Sequence, residues 1–199
     1  MALPLCAVCA EPCSAGAPLC GPCAGSLRGA PTLSVGPDGV EVAVAAGEYE
    51  GVIRELAHAL KFGRRLALAR VAAEVMAEAC APWVLDGTIV PVPAAPLRRA
   101  WRGYDAAEEI ALALAALTGL PLARCLRRRG LSRQVGRTRE RRLSDPPRVR
   151  AAGEVPERAV LVDDVHTTGA TLGACADALR GAGCRSVVAV SLARSRVVA

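Results

Sequence analysis

The segment VLVDDVHTTGATL, residues 160–172, limits the fold more than any other part of the chain. Its apolar run ends at Asp163 and Asp164, a short Thr/Gly-rich turn follows, and a helical pattern begins near Thr171. This order predicts a buried strand that passes through a loop into a helix. In open α/β sheets, ligands bind beyond the carboxyl ends of the strands, and the free N–H groups of a helix N-terminus attract anions. The segment therefore predicts a phosphate site in an α/β fold.

The two acidic residues narrow the predicted ligand. A carboxylate repels a phosphate, so Asp163 and Asp164 are expected to accept hydrogen bonds from sugar hydroxyls beside it. Gly169 permits close backbone approach. A ligand with neighbouring hydroxyls close to a phosphate is a ribose 5-phosphate. The alternative is an ordinary strand-to-helix turn with a capping side chain. The candidate ligand-binding residues of this segment are Asp163, Asp164, Thr167, Thr168, Gly169, Ala170 and Thr171.

Strand-like and helix-like patterns alternate along the rest of the chain. The predicted strands are 40–48, 88–92, 160–165 and 186–192, and the predicted helices are 50–81 (broken near Gly63), 105–117 and 171–182. Such alternation predicts an α/β domain over residues 40–199, with a mainly parallel sheet covered by helices on both faces. Residues 1–30 are rich in Cys, Pro and Gly and form a separate module that is too short for a core of its own.

Five of the nine cysteines lie within the first 23 residues. Cys6 and Cys9 form one CxxC pair, and Cys20 and Cys23 form a second, ten residues further on. Four thiolates at this spacing predict a tetrahedral zinc site, which is structural because no coordination position stays open. Two alternatives are open. Cys13 can replace one of the four ligands, or the cysteines can hold an iron–sulfur cluster instead of zinc.

Positive charge is concentrated in one segment. The formal net charge is +6, and Lys61 is the only lysine. Eleven arginines lie between residues 124 and 150, where little periodicity is visible, so this arginine-rich segment is predicted to be a flexible loop. The loop can close over a bound ligand, contact nucleic-acid phosphates, or form a solvated surface.

The sequence also carries a prediction about location. No apolar run reaches the roughly 20 residues that span a bilayer, and the N-terminus lacks the pattern of a secretory signal. We therefore expect a cytoplasmic protein without membrane insertion. The sequence does not indicate an oligomeric state.

Residues 160–172 resemble the signature of type I phosphoribosyltransferases. The resemblance implies the fold of that family and binding of phosphoribosyl pyrophosphate together with Mg²⁺. It also implies that Asp163 and Asp164 are the catalytic-site acids that hold the ribose hydroxyls, and that residues 167–171 hold the 5-phosphate.

The chain as a whole resembles the ComF family (ComFC and GntX-like proteins), in which a zinc-ribbon-like module precedes a phosphoribosyltransferase domain. The segments that carry the resemblance are 49–62, 89–93, 102–104 and 133–134. The chain departs from the family at Asp105 and Ala106, where Asn-Gln is usual. It departs again near Arg141, Arg142 and Ser144, which only approximate the family's later Arg and Asn.

The ComF resemblance implies a role in natural competence and DNA uptake, with possible transfer of a phosphoribosyl group and release of pyrophosphate. It implies that Lys61 and Arg102 lie near the pyrophosphate. The alternatives are that Lys61 complements a helix dipole and that Arg102 pairs with Asp105. Two other functions are alternatives. The first is a non-catalytic protein that binds single-stranded DNA, a helicase-like ATPase or recombination proteins. The second is a nucleotide salvage phosphoribosyltransferase.

Overall fold

The structure is a computed structural model. It describes residues 4–27, 31–62, 67–95, 103–128 and 148–195. Three features of the sequence analysis lie outside these residues. They are the helix break near Gly63, the candidate pyrophosphate-binding residue Arg102, and the middle of the arginine-rich segment, residues 129–147.

The described strands are β1 (Thr32–Val35), β2 (Val42–Glu48), β3 (Thr88–Pro91), β4 (Leu126–Arg128), β5 (Val149–Ala151), β6 (Arg158–His166) and β7 (Ser186–Arg194). Five of them form one sheet in the order β1-β2-β7-β6-β3. β1 is antiparallel to β2, whereas β2, β7, β6 and β3 are mutually parallel. The predicted α/β class and mainly parallel sheet are therefore confirmed.

The described helices are α1 (Gly21–Ser26), α2 (Gly51–Phe62), α3 (Ala67–Ala79), α4 (Ala106–Thr118) and α5 (Ala170–Arg180). Helices α2, α3 and α4 cover one face of the sheet, and α5 covers the other. The predicted helix 50–81 is two helices on either side of residues 63–66. Within the described part of the chain, none of the helices is long and apolar enough to cross a membrane.

Two hydrophobic clusters enclose the sheet. Val160 and Val162 of β6 pack toward α2, α3 and α4, whereas Ala159 and Leu161 pack toward α5. This alternation follows from the two-residue repeat of a strand, which places successive side chains on opposite faces. Because β6 is buried on both faces, it reads in sequence as a continuous apolar run.

The two ends of the arginine-rich segment differ from the prediction of a loop. β4 and β5 pair antiparallel, with Leu126 opposite Ala151 and Arg128 opposite Val149. The buried Leu126 attaches this short ribbon to the cluster beneath α5. Three-residue strands that contain arginines carry no visible periodicity, which is why the sequence analysis missed them. Edge strand β1, whose four residues alternate between half-buried and exposed, was also missed.

The N-terminal cysteine segment begins with a tight hairpin. Leu5 pairs with Pro12, and the Cys6 N–H donates to the Glu11 carbonyl at 2.7 Å. The buried residues of this segment belong to the same hydrophobic cluster as α2, α3 and α4. The segment therefore shares the core of the sheet instead of building one.

Candidate functional site

Asp163 and Asp164 lie near the carboxyl end of β6, which is flanked in the sheet by β7 and β3. The Asp164 N–H donates to Asp163 Oδ1 at 2.9 Å, and the Val165 N–H donates to Asp164 Oδ1 at 2.7 Å. Each carboxylate is thus held by the backbone of the following residue. Burial and the nearby Asp164 charge raise the pKa of Asp163 well above its ordinary value, although Lys61 opposes the shift.

Lys61 belongs to this site. Its Nζ lies 3.1 Å from Asp164 Oδ2, and the two side chains are only 22% and 12% exposed. Lys61 also occupies the last turn of α2, where a cation complements the helix dipole. The helix-dipole interpretation therefore describes its position, and the ion pair places it beside the acids. Its role toward a pyrophosphate stays a prediction.

A cavity of about 150 Å³ opens beyond the carboxyl ends of β3 and β6. Of the residues predicted from sequence, its wall contains Lys61, Asp163, Asp164 and Thr171. The backbone of residues 92–95, which follows β3, forms another part of the wall. This is the position at which ligands of open parallel sheets bind.

Asp105 joins the loop after β3 to the start of α4. Its Oδ2 accepts from the Ala94 N–H at 2.8 Å, and its Oδ1 accepts from the Ala107 N–H at 3.2 Å, which caps α4. Burial, opposed by these two bonds and reinforced by the Asp164 charge, raises the pKa of Asp105. The position that departs from the ComF family thus carries a side chain that orients one wall of the cavity.

Tyr104 fixes the same wall from the other side. Its hydroxyl donates to the Leu60 carbonyl near the end of α2, one residue before Lys61. Tyr104 and Asp105 both line the cavity, as does Arg128 at the end of β4. None of these three residues was predicted from sequence to belong to the site, although Tyr104 lies in the segment 102–104 that carries the resemblance described above.

The Thr/Gly loop is divided between two cavities. Thr171 lines the cavity that contains the acids, whereas Thr168, Gly169 and Ala170 line a more open cavity of about 670 Å³. Thr167 and Thr168 are both exposed. The N-terminus of α5 follows them, and its Ala170 N–H donates to Thr168 Oγ1 at 3.4 Å. A helix N-terminus in this position favours an anion.

Gly169 precedes α5 and has a φ of 77°, a conformation that favours glycine. A Cβ at this position would lie 2.9 Å from two side-chain carbons of Pro37. Glycine is therefore required by the backbone conformation and by the close approach of Pro37, in addition to any requirement of a ligand.

His166 is the last residue of β6. The side chain is buried, and its Nδ1 lies 2.7 Å from Ser191 Oγ on the neighbouring strand β7. Burial and the Arg194 charge lower the pKa of His166. His166 thus ties the end of β6 to β7 directly below the Thr/Gly loop.

The four predicted metal ligands come together. The sulfur atoms of Cys6, Cys9, Cys20 and Cys23 all lie within 4.8 Å of one another, and Cys9 Sγ is 3.6 Å from Cys20 Sγ. Four sulfurs around a zinc ion at about 2.3 Å have mutual separations of about 3.8 Å, so the spacing fits a tetrahedral metal site.

The backbone also favours a thiolate at this cluster. The Val8 N–H points to Cys6 Sγ at 3.5 Å. Burial alone would raise the pKa of Cys6, but N–H groups of Cys9, Cys20 and Val8 lower it to about 6. A metal ligand must be deprotonated, so the low pKa of Cys6 suits an ion such as zinc. Burial and the neighbouring thiols act in the opposite direction on Cys23, whose pKa they raise, and the pKa of Cys9 is raised as well.

Comparison with known proteins adds no family assignment. No model of a protein family matches the chain, and no curated protein is significantly similar to it. The function is therefore inferred from the cavity that contains Asp163 and Asp164 and from the four-cysteine cluster.

Proposed function

We propose that this protein has a type I phosphoribosyltransferase fold and binds phosphoribosyl pyrophosphate, or a related ribose 5-phosphate, at the carboxyl ends of β3 and β6. The observation that carries the proposal is the meeting of Asp163, Asp164, Lys61 and Thr171 around one cavity. Lys61 and the acids are about a hundred residues apart in sequence, so their 3.1 Å ion pair is a product of the fold.

Each group has a chemical role in this proposal. The carboxylates of Asp163 and Asp164 accept hydrogen bonds from the ribose 2- and 3-hydroxyls. The N–H groups at the start of α5 and the hydroxyl of Thr171 bind the 5-phosphate. Lys61 supplies a positive point charge toward the pyrophosphate, a role that Arg102 shares by resemblance.

The electrostatics of the cavity favour a ligand that brings donors and a cation. Burial and mutual repulsion raise the pKa of Asp163, so the pair of acids is incompletely compensated by Lys61. Hydroxyl donors and a divalent cation both stabilise ionised carboxylates. Oxygen donors of this kind suit Mg²⁺, which binds proteins through one or two carboxylates together with substrate phosphates.

We extend the proposal to transfer of the phosphoribosyl group. The reaction would break the bond between ribose C1 and the pyrophosphate oxygen and form a bond from C1 to a nitrogen nucleophile. The residues of the cavity would act by positioning the ribose and stabilising charge. Arg128, at the end of β4, lines the cavity, and the arginine-rich segment to which it belongs is proposed to close over a bound ligand.

We propose that the four-cysteine cluster binds a structural zinc ion. With four thiolates no position is left for a substrate. The ion would hold the N-terminal hairpin and α1 together, since this segment has little apolar area of its own.

The cellular role rests on the ComF resemblance: we propose that the protein acts in DNA uptake during natural competence. Deletion of its gene in a competent host is expected to lower transformation by exogenous DNA, and restoration of the gene should recover it. Unchanged transformation would contradict the competence role and leave ligand binding unaffected.

Calorimetric titration tests the binding proposal. Wild-type protein is expected to bind phosphoribosyl pyrophosphate saturably in the presence of Mg²⁺, and the variant Asp163→Asn/Asp164→Asn is expected to lose binding. Asp86→Asn is the matched control, because Asp86 is an exposed acid in an ion pair with Arg158 remote from the cavity. A wild-type protein that gives no saturable heat, or a double variant that binds like Asp86→Asn, would contradict the proposal.

A further inference from the structure

A fifth thiol lies beside the four-cysteine cluster. Cys13 is only 6% exposed and lies on the second arm of the N-terminal hairpin. Its N–H donates to the Pro4 carbonyl at 2.7 Å, one step along the hairpin from the pairing of Leu5 with Pro12. Opposite residues of a hairpin share a face, and so do alternate residues of one strand. Cys13 therefore lies on the same face as Cys6.

The electrostatic surroundings of Cys13 agree with this placement. Burial is the main cause that raises the pKa of Cys13, and the neighbouring thiols of Cys6, Cys20 and Cys9 raise it further. The Cys13 thiol also points to the Glu11 carbonyl at 3.8 Å, a long contact to a weak donor. This contact would be given up if the thiol moved toward the cluster.

The four ligands differ in exposure. Cys6, Cys20 and Cys23 are buried, whereas Cys9 is exposed. Exposed thiolates are the first to be oxidised or alkylated. Loss of Cys9 would leave three buried thiolates and, next to them, the buried thiol of Cys13.

We propose that Cys13 is a reserve ligand, which replaces Cys9 in the coordination of the metal when Cys9 is lost. This inference rests on the proposed binding of zinc by the four-cysteine cluster. In the exchange, the Cys9–metal bond breaks, the Cys13 thiol releases its proton to solvent, and a Cys13–metal bond forms. The site keeps four thiolates and its charge.

Zinc content of the full-length protein tests the reserve ligand. Cys9→Ser is expected to retain zinc, whereas Cys9→Ser/Cys13→Ser is expected to lose it. The matched control is Cys9→Ser/Cys80→Ser, which also removes a second, partly buried cysteine, but one in the region of α3. This control should retain zinc. Loss of zinc in Cys9→Ser, or equal retention in both double variants, would overturn the proposal.

Cobalt absorption tests the proposal in the single variant Cys9→Ser, so it does not require the double variants to fold. The thiolate-to-cobalt absorption scales with the number of sulfur ligands. The Cys9→Ser protein should therefore match the wild type, and an absorption reduced to three thiolates would overturn the reserve role. A wild-type protein that binds neither zinc nor cobalt would instead refute the underlying metal site, so the two failures are distinguishable.

Discussion

The ion pair between Lys61 and Asp164 provides a quantitative test of the site. Lys61→Met removes the charge and keeps most of the aliphatic stem, so the packing around α2 is retained. Asp164 is then left 12% exposed and near the charge of Asp163. Loss of an exposed pair costs at most about 1 kcal/mol, and breaking a buried pair costs about 3–5 kcal/mol. Because this pair is mostly but not fully buried, we expect a loss of about 2 kcal/mol of unfolding free energy.

Urea and thermal unfolding measure this effect. For a chain of this size, a loss of about 2 kcal/mol lowers the Tm by roughly 4–8 °C. Arg70→Met is the matched control: Arg70 also lies on a helix and pairs with Glu74 at 2.9 Å, but its side chain is 80% exposed. We expect this control to cost about 0.3–0.5 kcal/mol. If Lys61→Met costs no more than Arg70→Met, the reasoning about the buried pair is refuted.

Three further predictions concern Asp105, Gly169 and Asp163. Asp105→Ala removes the cap of α4 and leaves the Ala94 N–H without its acceptor, so we expect a loss of about 2–3 kcal/mol in urea unfolding; a loss below the Arg70→Met control would contradict this role. Gly169→Ala should lower the unfolding free energy by about 1–2 kcal/mol because of the left-handed conformation alone, before the clash with Pro37 is added. An unchanged Tm would show that neither the conformation nor Pro37 requires glycine at this position. The pKa of Asp163 in the folded state lies above its ordinary value of 3.8, so between these two values the folded state binds more protons than the unfolded state. The free energy of unfolding therefore falls as pH rises from 3.8 through the folded pKa. Asp163→Asn should weaken this fall across a pH series of unfolding curves, and an unchanged profile would show that another group causes it.

The central strand and the helix after it were predictable because their signals are local. β6 contains the apolar run 159–162 followed by two acids, and α5 begins directly after Gly169. The end of α4 was equally visible, since Gly119 adopts the left-handed conformation expected after a helix. In each case the decisive residues are neighbours in sequence.

Contacts between distant segments could not be predicted in the same way. The burial of His166 depends on Ser191, which belongs to the next strand of the sheet. The role of Asp105 depends on Ala94, which lies eleven residues before it and becomes its donor only in the folded chain. The sequence marked Asp105 only as a difference from the ComF pattern and did not reveal what the carboxylate does.

Discrimination between two sugar phosphates tests the proposed ribose 5-phosphate site. The proposed site binds a phosphate at the start of α5 and neighbouring ribose hydroxyls at Asp163 and Asp164. In calorimetric or fluorescence titrations, wild-type protein should bind ribose 5-phosphate at least about tenfold more tightly than 2-deoxyribose 5-phosphate, which corresponds to about 1.4 kcal/mol for the lost hydroxyl. Asp163→Asn/Asp164→Asn should reduce this preference. Equal binding of the two sugars to the wild type, or binding of neither, would contradict the assignment of a ribose 5-phosphate site.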